Sequence, residues 1–257
     1  MKIEDLDPPP AGFGKCFVRI WGDEPRLCAY LENGTPEICY GCARAHLDEL
    51  AEPKCELCCH PLSGDECRNP VCNFDDRYYD RAYAISAKTG ALHRAIVRYK
   101  YDQKKPWALI FGRVLAGYLQ ARRSTFASYD LVIGSPTFVD AERPWDHIDL
   151  ILERAAMCLS PDWPIVLGEP PVIEQTAAVP RFAKLKWPER ELVARTKLYP
   201  VLRVPDPTRT RGKRILVFDD VYTDGLRLRV VAQTLIEDGG AEQVSGVYLA
   251  RSIYRGS

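Results

Sequence analysis

The residues best suited to chemistry stand close together near the end of the chain, in Ile215-Leu216-Val217-Phe218-Asp219-Asp220-Val221-Tyr222-Thr223-Asp224-Gly225. The apolar run Arg214–Phe218 suits a buried parallel strand. In an open α/β sheet, ligands bind at the carboxyl ends of the strands, where the next helix begins. A short loop there turns backbone N–H groups outward, and the helix N-terminus adds positive partial charge, which suits a phosphate. Two adjacent carboxylates, Asp219 and Asp220, suit a polyol such as the two hydroxyls of a ribose. The stretch therefore describes a ribose carrying a phosphate, with Thr223 as a hydroxyl donor and Gly225 allowing close backbone approach. The plainer alternative is that the two acids cap a helix and solvate a loop; spacing alone leaves both open.

Cysteines supply the second chemistry. Nine of the ten fall within residues 15–77, a segment with little apolar periodicity and many turn residues. Such a segment needs a staple to fold. Cys39-Tyr-Gly-Cys42 and Cys55-Glu-Leu-Cys58 are CxxC knuckles, Cys67 and Cys72 form a looser pair, and Cys16 and Cys28 lie upstream. Tetrahedral Zn²⁺ takes four thiolate or imidazole ligands, and one tight CxxC turn offers two of them. Two structural sites are expected. The clearer one is Cys55, Cys58, Cys67 and Cys72. The other takes Cys39, Cys42 and Cys28, with Cys16 as its fourth ligand and His46 as the rival. Both read as closed sites that fold the module, because nothing nearby suggests a thioredoxin-like unit.

The elements that must position these groups are legible in outline. Leu92, Ile96 and Tyr99 share one helical face beside Arg94 and Arg98. Pro106 can open a second helix, with Trp107, Ile110, Val114 and Tyr118 as its buried stripe. Asp130–Gly134 reads as a strand and about 146–159 as a helix. Residues 160–190, rich in proline, read as an irregular insertion or hood. After Phe218 a turn is expected, then a helix with Leu228, Val231 and Leu235 on one face, ended by Gly239-Gly240. Val244–Leu249 makes the next strand and completes a βαβ unit. The expected organisation is a flexible leader (1–14), a cysteine module (15–77) and an α/β domain with a parallel sheet and flanking helices (78–257).

The 257 residues carry no formal net charge, so no global field recruits nucleic acid or an anionic membrane. The neutral total hides an acidic head and a basic middle: residues 1–80 hold 16 acids and 8 bases, whereas 81–125 hold 1 acid and 10 bases. Met1–Gly14 lacks the apolar core of a secretory signal, and no apolar run approaches membrane-spanning length. A cytoplasmic location with reduced thiols is expected.

The stretch Ile215–Gly225 resembles the phosphoribosyl-pyrophosphate signature of type I phosphoribosyltransferases. Within that superfamily, residues 28–251 resemble in order the ComF-type proteins, which join a double zinc ribbon to such a domain. Leu92–Lys100 followed by Tyr101 looks like the family's helix ending in Lys-Tyr or Lys-Phe. Asp130–Pro136 looks like its second strand and pyrophosphate loop, and Leu249-Ala250-Arg251 like its closing strand. The resemblance implies that Asp219 and Asp220 hold the ribose hydroxyls. It implies that Tyr222, Thr223, Asp224, Gly225, Leu226 and Arg227 cradle the 5′-phosphate. Pyrophosphate with Mg²⁺ would lie near Gly134 and Ser135, with Lys100 as a charge partner. Loss of pyrophosphate would pass through an oxocarbenium-like state, so catalysis would be positioning and electrostatic stabilisation of the leaving group.

The chain departs from the family pattern in ways that bear on turnover. Asp224 puts a carboxylate where relatives have Thr or a small residue, which opposes phosphate binding. Arg227, in place of Thr, is expected to offset it by pairing with Asp224 or by reaching the phosphate. The family's Arg-Gly-Phe-Asn-Gln segment is replaced by Arg143-Pro144-Trp145-Asp146-His147. In the cysteine module, Cys59 stands where relatives commonly have Gly, and Cys28 has lost its CxxC partner. Two functions follow as expectations. One is an enzyme moving a phosphoribosyl group to or from a nitrogen nucleophile. The other is a catalytically silent zinc-ribbon scaffold, fitting the family's association with DNA uptake and helicase-type partners. The basic residues Arg94, Arg98, Lys100, Lys104-Lys105 and Arg122-Arg123 could line an anion pocket or a nucleic-acid track, and the lack of interleaved aromatics disfavours the track. Cys158 reads as a small buried hydrophobe, His60 and His93 as surface residues, and His147 as a neighbour of the expected pyrophosphate loop. No cysteine follows Met1, so an amidotransferase-type glutaminase has no nucleophile.

Overall fold

The computed structural model describes residues 47–253 apart from 63, 65, 106, 142, 143 and 181–184. Cys16, Cys28, Cys39, Cys42, His46, the leader and Pro106 lie outside the described residues.

The protein is α/β. Strands β1 (Ala82–Ala87), β2 (Leu131–Gly134), β5 (Arg214–Tyr222) and β6 (Gln243–Arg251) form a four-stranded parallel sheet in the order β1-β6-β5-β2. Helices α1 (Gly90–Tyr101), α2 (Trp107–Ala121), α3 (His147–Ala156) and α5 (Leu226–Glu237) flank it. The β5-α5-β6 unit is the βαβ element expected from the sequence.

Side chains alternate across a strand, and this sorts the core. Leu216 and Phe218 of β5 pack with α1, α2 and α3, whereas Ile215 and Val217 pack with α5 and the cysteine segment. The sheet is thus covered on both faces, which explains the continuous apolar run Ile215–Phe218 in β5. On α2 the structure buries Phe111, Leu115 and Leu119 along with the expected stripe. That helix packs against α1, α3 and β6 at once, so it is apolar over most of its surface. Gly112 permits the approach: a Cβ there would lie 2.5 Å from the Cβ of Arg154 and 2.8 Å from the backbone N of Ala155.

The expected hood, 160–190, contributes a short strand and the start of a helix that are completed by the residues after it. β3 (Glu174–Gln175) pairs antiparallel with β4 (Leu202–Arg203), and α4 (Glu189–Val193) runs on into a π-helical turn, Ala194–Leu198. Among the described residues, no helix is long and apolar enough to cross a membrane.

Candidate ligand cleft and metal centre

β5 runs four residues beyond the apolar stretch, so Asp219 and Asp220 lie inside the ladder rather than in a loop: Asp219 is in register with Tyr248, and Tyr222 with Arg251. Strand alternation then sends the two acids to opposite faces. Asp220 follows Phe218 toward α1 and α3. There Lys100 Nζ stands 2.8 Å from its Oδ2 and 3.0 Å from its Oδ1, and His147 Nε2 lies 3.8 Å from Oδ2. Asp219 follows Val217 toward α5, where Arg227 Nε is 3.6 Å away.

Their environments push the two carboxyls apart. Burial, then the neighbouring Asp220 charge, raise Asp219 to about 6. Burial also opposes ionisation of Asp220, which is 2% exposed, but Lys100 and His147 outweigh it and hold that carboxyl at about 2. Burial, then Lys100, pull the His147 imidazole down to about 4, so it is neutral at pH 7, and its buried Nε2 has no hydrogen-bond partner. Lys100 is kept protonated above its ordinary range: burial opposes the charge, and Asp220 and Asp219 more than compensate.

Asp219 and Asp220 form the floor of a cleft of ≈ 460 Å³ whose lining includes Lys88, Lys100, Arg190 and Arg227. The connection from β5 to α5 is the three residues Thr223, Asp224 and Gly225. Gly225 has φ +93°, a left-handed conformation, and a Cβ there would collide with the hydroxyls of Tyr222 and Tyr79. Asp224 is buried; its Oδ1 accepts from the Leu226 N–H (3.1 Å) and its Oδ2 from Arg190 Nη1 of α4 (3.0 Å). The partner of Asp224 is therefore Arg190 of the hood, not Arg227. Arg227 instead donates through Nε to Ser135 Oγ (3.0 Å), and also to the Pro136 carbonyl and the Gln175 side chain.

The expected cleft residues Asp219, Asp220, Lys100, Tyr222, Thr223, Asp224, Gly225 and Arg227 all line this cleft. Leu226 lies fully buried at the start of α5. Gly134 and Ser135 line an adjoining cavity of ≈ 310 Å³, with Asp149 and Glu169; Thr137 belongs to both. Burial, then Asp146, raise the Asp149 carboxyl to about 7. Cys158 is exposed rather than buried: it follows the end of α3, beyond the apolar face that Ile151 and Ala155 turn inward. His60 is buried, its Nδ1 within 2.7 Å of the Pro61 carbonyl in the cysteine loop. Sequence reasoning missed Arg190 and Lys88, whose surroundings carry no motif. It quoted Arg251 only as the end of a strand.

The sulfurs of Cys55, Cys58, Cys67 and Cys72 all lie within 4.8 Å of one another, with Cys58–Cys67 at 3.6 Å and Cys55–Cys72 at 4.0 Å. Zn–S bonds of about 2.3 Å in a tetrahedron place sulfurs about 3.8 Å apart, so the set fits zinc. The knuckle is closed by Cys55 N–H to the His60 carbonyl (2.8 Å) and Cys59 N–H to the Cys55 carbonyl (2.9 Å). Cys59 has φ 55°, the left-handed conformation that favours glycine. The Asn69 backbone N–H and side-chain amide donate to Cys67 and Cys72 sulfur, each at 3.5 Å, orienting ligands as outer partners do. Thiol hydrogen bonds from Cys55 and Cys72 hold the Cys58 thiol well below the usual range. Burial pushes Cys67 up to about 12.

No protein-family model matches the chain, and no curated protein matches it.

Proposed function

We propose that the cleft binds phosphoribosyl pyrophosphate or a related ribose phosphate, and that the protein is a ComF-type phosphoribosyltransferase moving a phosphoribosyl group to or from a nitrogen nucleophile. The observation that carries this reading is the meeting of two strand-end carboxylates with four cationic side chains in one cleft at the carboxyl edge of a parallel sheet. Asp219 is the carboxylate open to a ribose hydroxyl. Lys100, Lys88 and Arg227 supply positive charge for phosphate and for the leaving pyrophosphate. Neutral His147 keeps a second cation away from Lys100. Mg²⁺ fits as an ion carried by pyrophosphate oxygens and would neutralise charge on the leaving group, since Asp220 and Asp224 are already tied to Lys100 and Arg190. Zn²⁺ would be held by Cys55, Cys58, Cys67 and Cys72 as a structural ion. The reduced thiols suit a cytoplasmic location.

Titration calorimetry of phosphoribosyl pyrophosphate with Mg²⁺, on wild type and Asp219→Ala, tests the site; equal binding by the two proteins sinks it. A pyrophosphate-release assay with nitrogen acceptors tests turnover.

Asp224 favours a second reading. Its carboxylate takes the helix N-terminal amide of Leu226 that a phosphate would otherwise take. In that reading the fold is a silent scaffold, and the zinc module meets a helicase-type or DNA-processing partner. Ligand binding without turnover would support it.

A further inference from the structure

We propose that the four-cysteine centre and the cleft loop are one coupled unit, with Arg251 as the positioning residue between them. Arg251, at the end of β6, is completely buried. Its Nε donates to the carbonyl of Cys58 at 2.9 Å, and its Nη2 lies 3.9 Å from the Cys58 sulfur. Its Nη1 donates to the carbonyls of Tyr222 (3.3 Å), Thr223 and Ser252 (2.5 Å). The guanidinium also sits 4.6 Å from the centre of the Tyr222 ring. One rigid planar fork thus holds a metal-ligand residue on one side and the first residue of the cleft loop on the other.

A second route runs in parallel. The Asn69 side-chain amide has two N–H donors; it donates to Cys72 sulfur at 3.5 Å and to the Tyr222 hydroxyl at 3.3 Å. The Tyr222 hydroxyl pairs with that of Tyr79 at 2.8 Å and reaches the Asp224 carbonyl at 3.4 Å. These are the hydroxyls against which Gly225 is seated. Cys58 and Cys72 are each tied to the loop by a separate chain of contacts. Metal occupancy, which fixes where those two residues stand, therefore sets the position of Thr223–Gly225. The coupling does not depend on which ligand the cleft takes.

The test is amide hydrogen exchange on the full chain, zinc-loaded and chelator-stripped, with zinc affinity measured by competition against a chromophoric chelator. The reporting amides are Leu226, Arg229 and Ser252, whose hydrogen bonds close the loop. In wild type, zinc removal is expected to speed their exchange by about tenfold or more while α2 keeps its protection. In Arg251→Lys, zinc affinity stays within about threefold of wild type, and the loop exchanges fast even with zinc bound. Tyr222→Phe, a milder change, severs the second route alone and is expected to show a reduced response to zinc. Three outcomes overturn the proposal: loop protection unchanged on stripping, protection lost equally from α2, or both variants responding as wild type does.

Discussion

Lys100 Nζ stands 2.8 Å from Asp220 Oδ2, and this pair joins the last turn of α1 to the floor of the cleft. It also accounts for the split between the acids: one partner is committed to Lys100, and the other is left to the cleft.

Replacing Lys100 with Met leaves Asp220 buried without its main cation. Breaking a buried pair from one side costs about 3–5 kcal/mol. The Lys100 side chain is 27% exposed, so water recovers part of that and a loss of about 2 kcal/mol is expected. Urea melts at pH 7 measure it. Adding Asp220→Asn should restore much of the loss; a double variant as weak as the single one would contradict the pairing.

The acids should have opposite effects on stability as pH changes. Asp220, held at about 2, lies below its unfolded value of about 3.9, so its contribution is present above about pH 4 and fades as pH falls toward 2. Asp219, raised to about 6, binds more protons folded than unfolded between about pH 4 and 6, so on its account stability falls as pH rises through that window. His147, at about 4, runs the other way from Asp219, which makes the difference between wild type and Asp219→Asn the proper readout. The variant is expected to gain about 1–2 kcal/mol over wild type at pH 7 and little at pH 4. A difference that stays constant across this range would remove the assignment.

Opening the loop should strengthen anion binding. Asp224→Ser frees the Leu226 amide and the Arg190 guanidinium together. Affinity for phosphoribosyl pyrophosphate is expected to rise about tenfold, a gain of about 1.4 kcal/mol. Calorimetry at low salt checks this, and an unchanged constant would mean that the cleft anion sits elsewhere.

Gly225→Ala tests the seat of the loop. A residue with a side chain at φ +93° is strained by about 1–3 kcal/mol, before the clash with Tyr222 and Tyr79 is counted. Thermal melts should show a drop of several degrees, with binding lost as well.

Zinc should be measurable directly. Close to two ions per chain are expected by metal analysis, and Cys58→Ser should lower the number by one. Retention of both by that variant would move the ligand set.

The sheet was legible because its central strands are buried on both faces: Ile215–Phe218 is an unbroken apolar run, and Val244–Leu249 is interrupted only by the small residues Ser245 and Gly246. The helices at Leu92–Tyr99 and Trp107–Tyr118 were legible from the apolar period. The end of β5 was misjudged, because Asp219 and Asp220 look like loop residues until the neighbouring strand and Lys100 supply their partners. The alternation that separates the two acids follows from that hidden length. Arg190 was illegible for a different reason: its partnership with Asp224 spans 34 residues and a segment whose prolines mask its short helix. Of the cysteines, Cys55, Cys58, Cys67 and Cys72 were grouped correctly by spacing, since a tight turn leaves thiolates few alternatives.

The acids belong to a strand held by β6 as far as Tyr222 and by β2 as far as Phe218, so the base of the cavity has little freedom to yield. Any adjustment to guests of different length falls to the proline-rich roof. Recasting that roof is thus the route by which such a scaffold could change what it holds while leaving its foundation untouched.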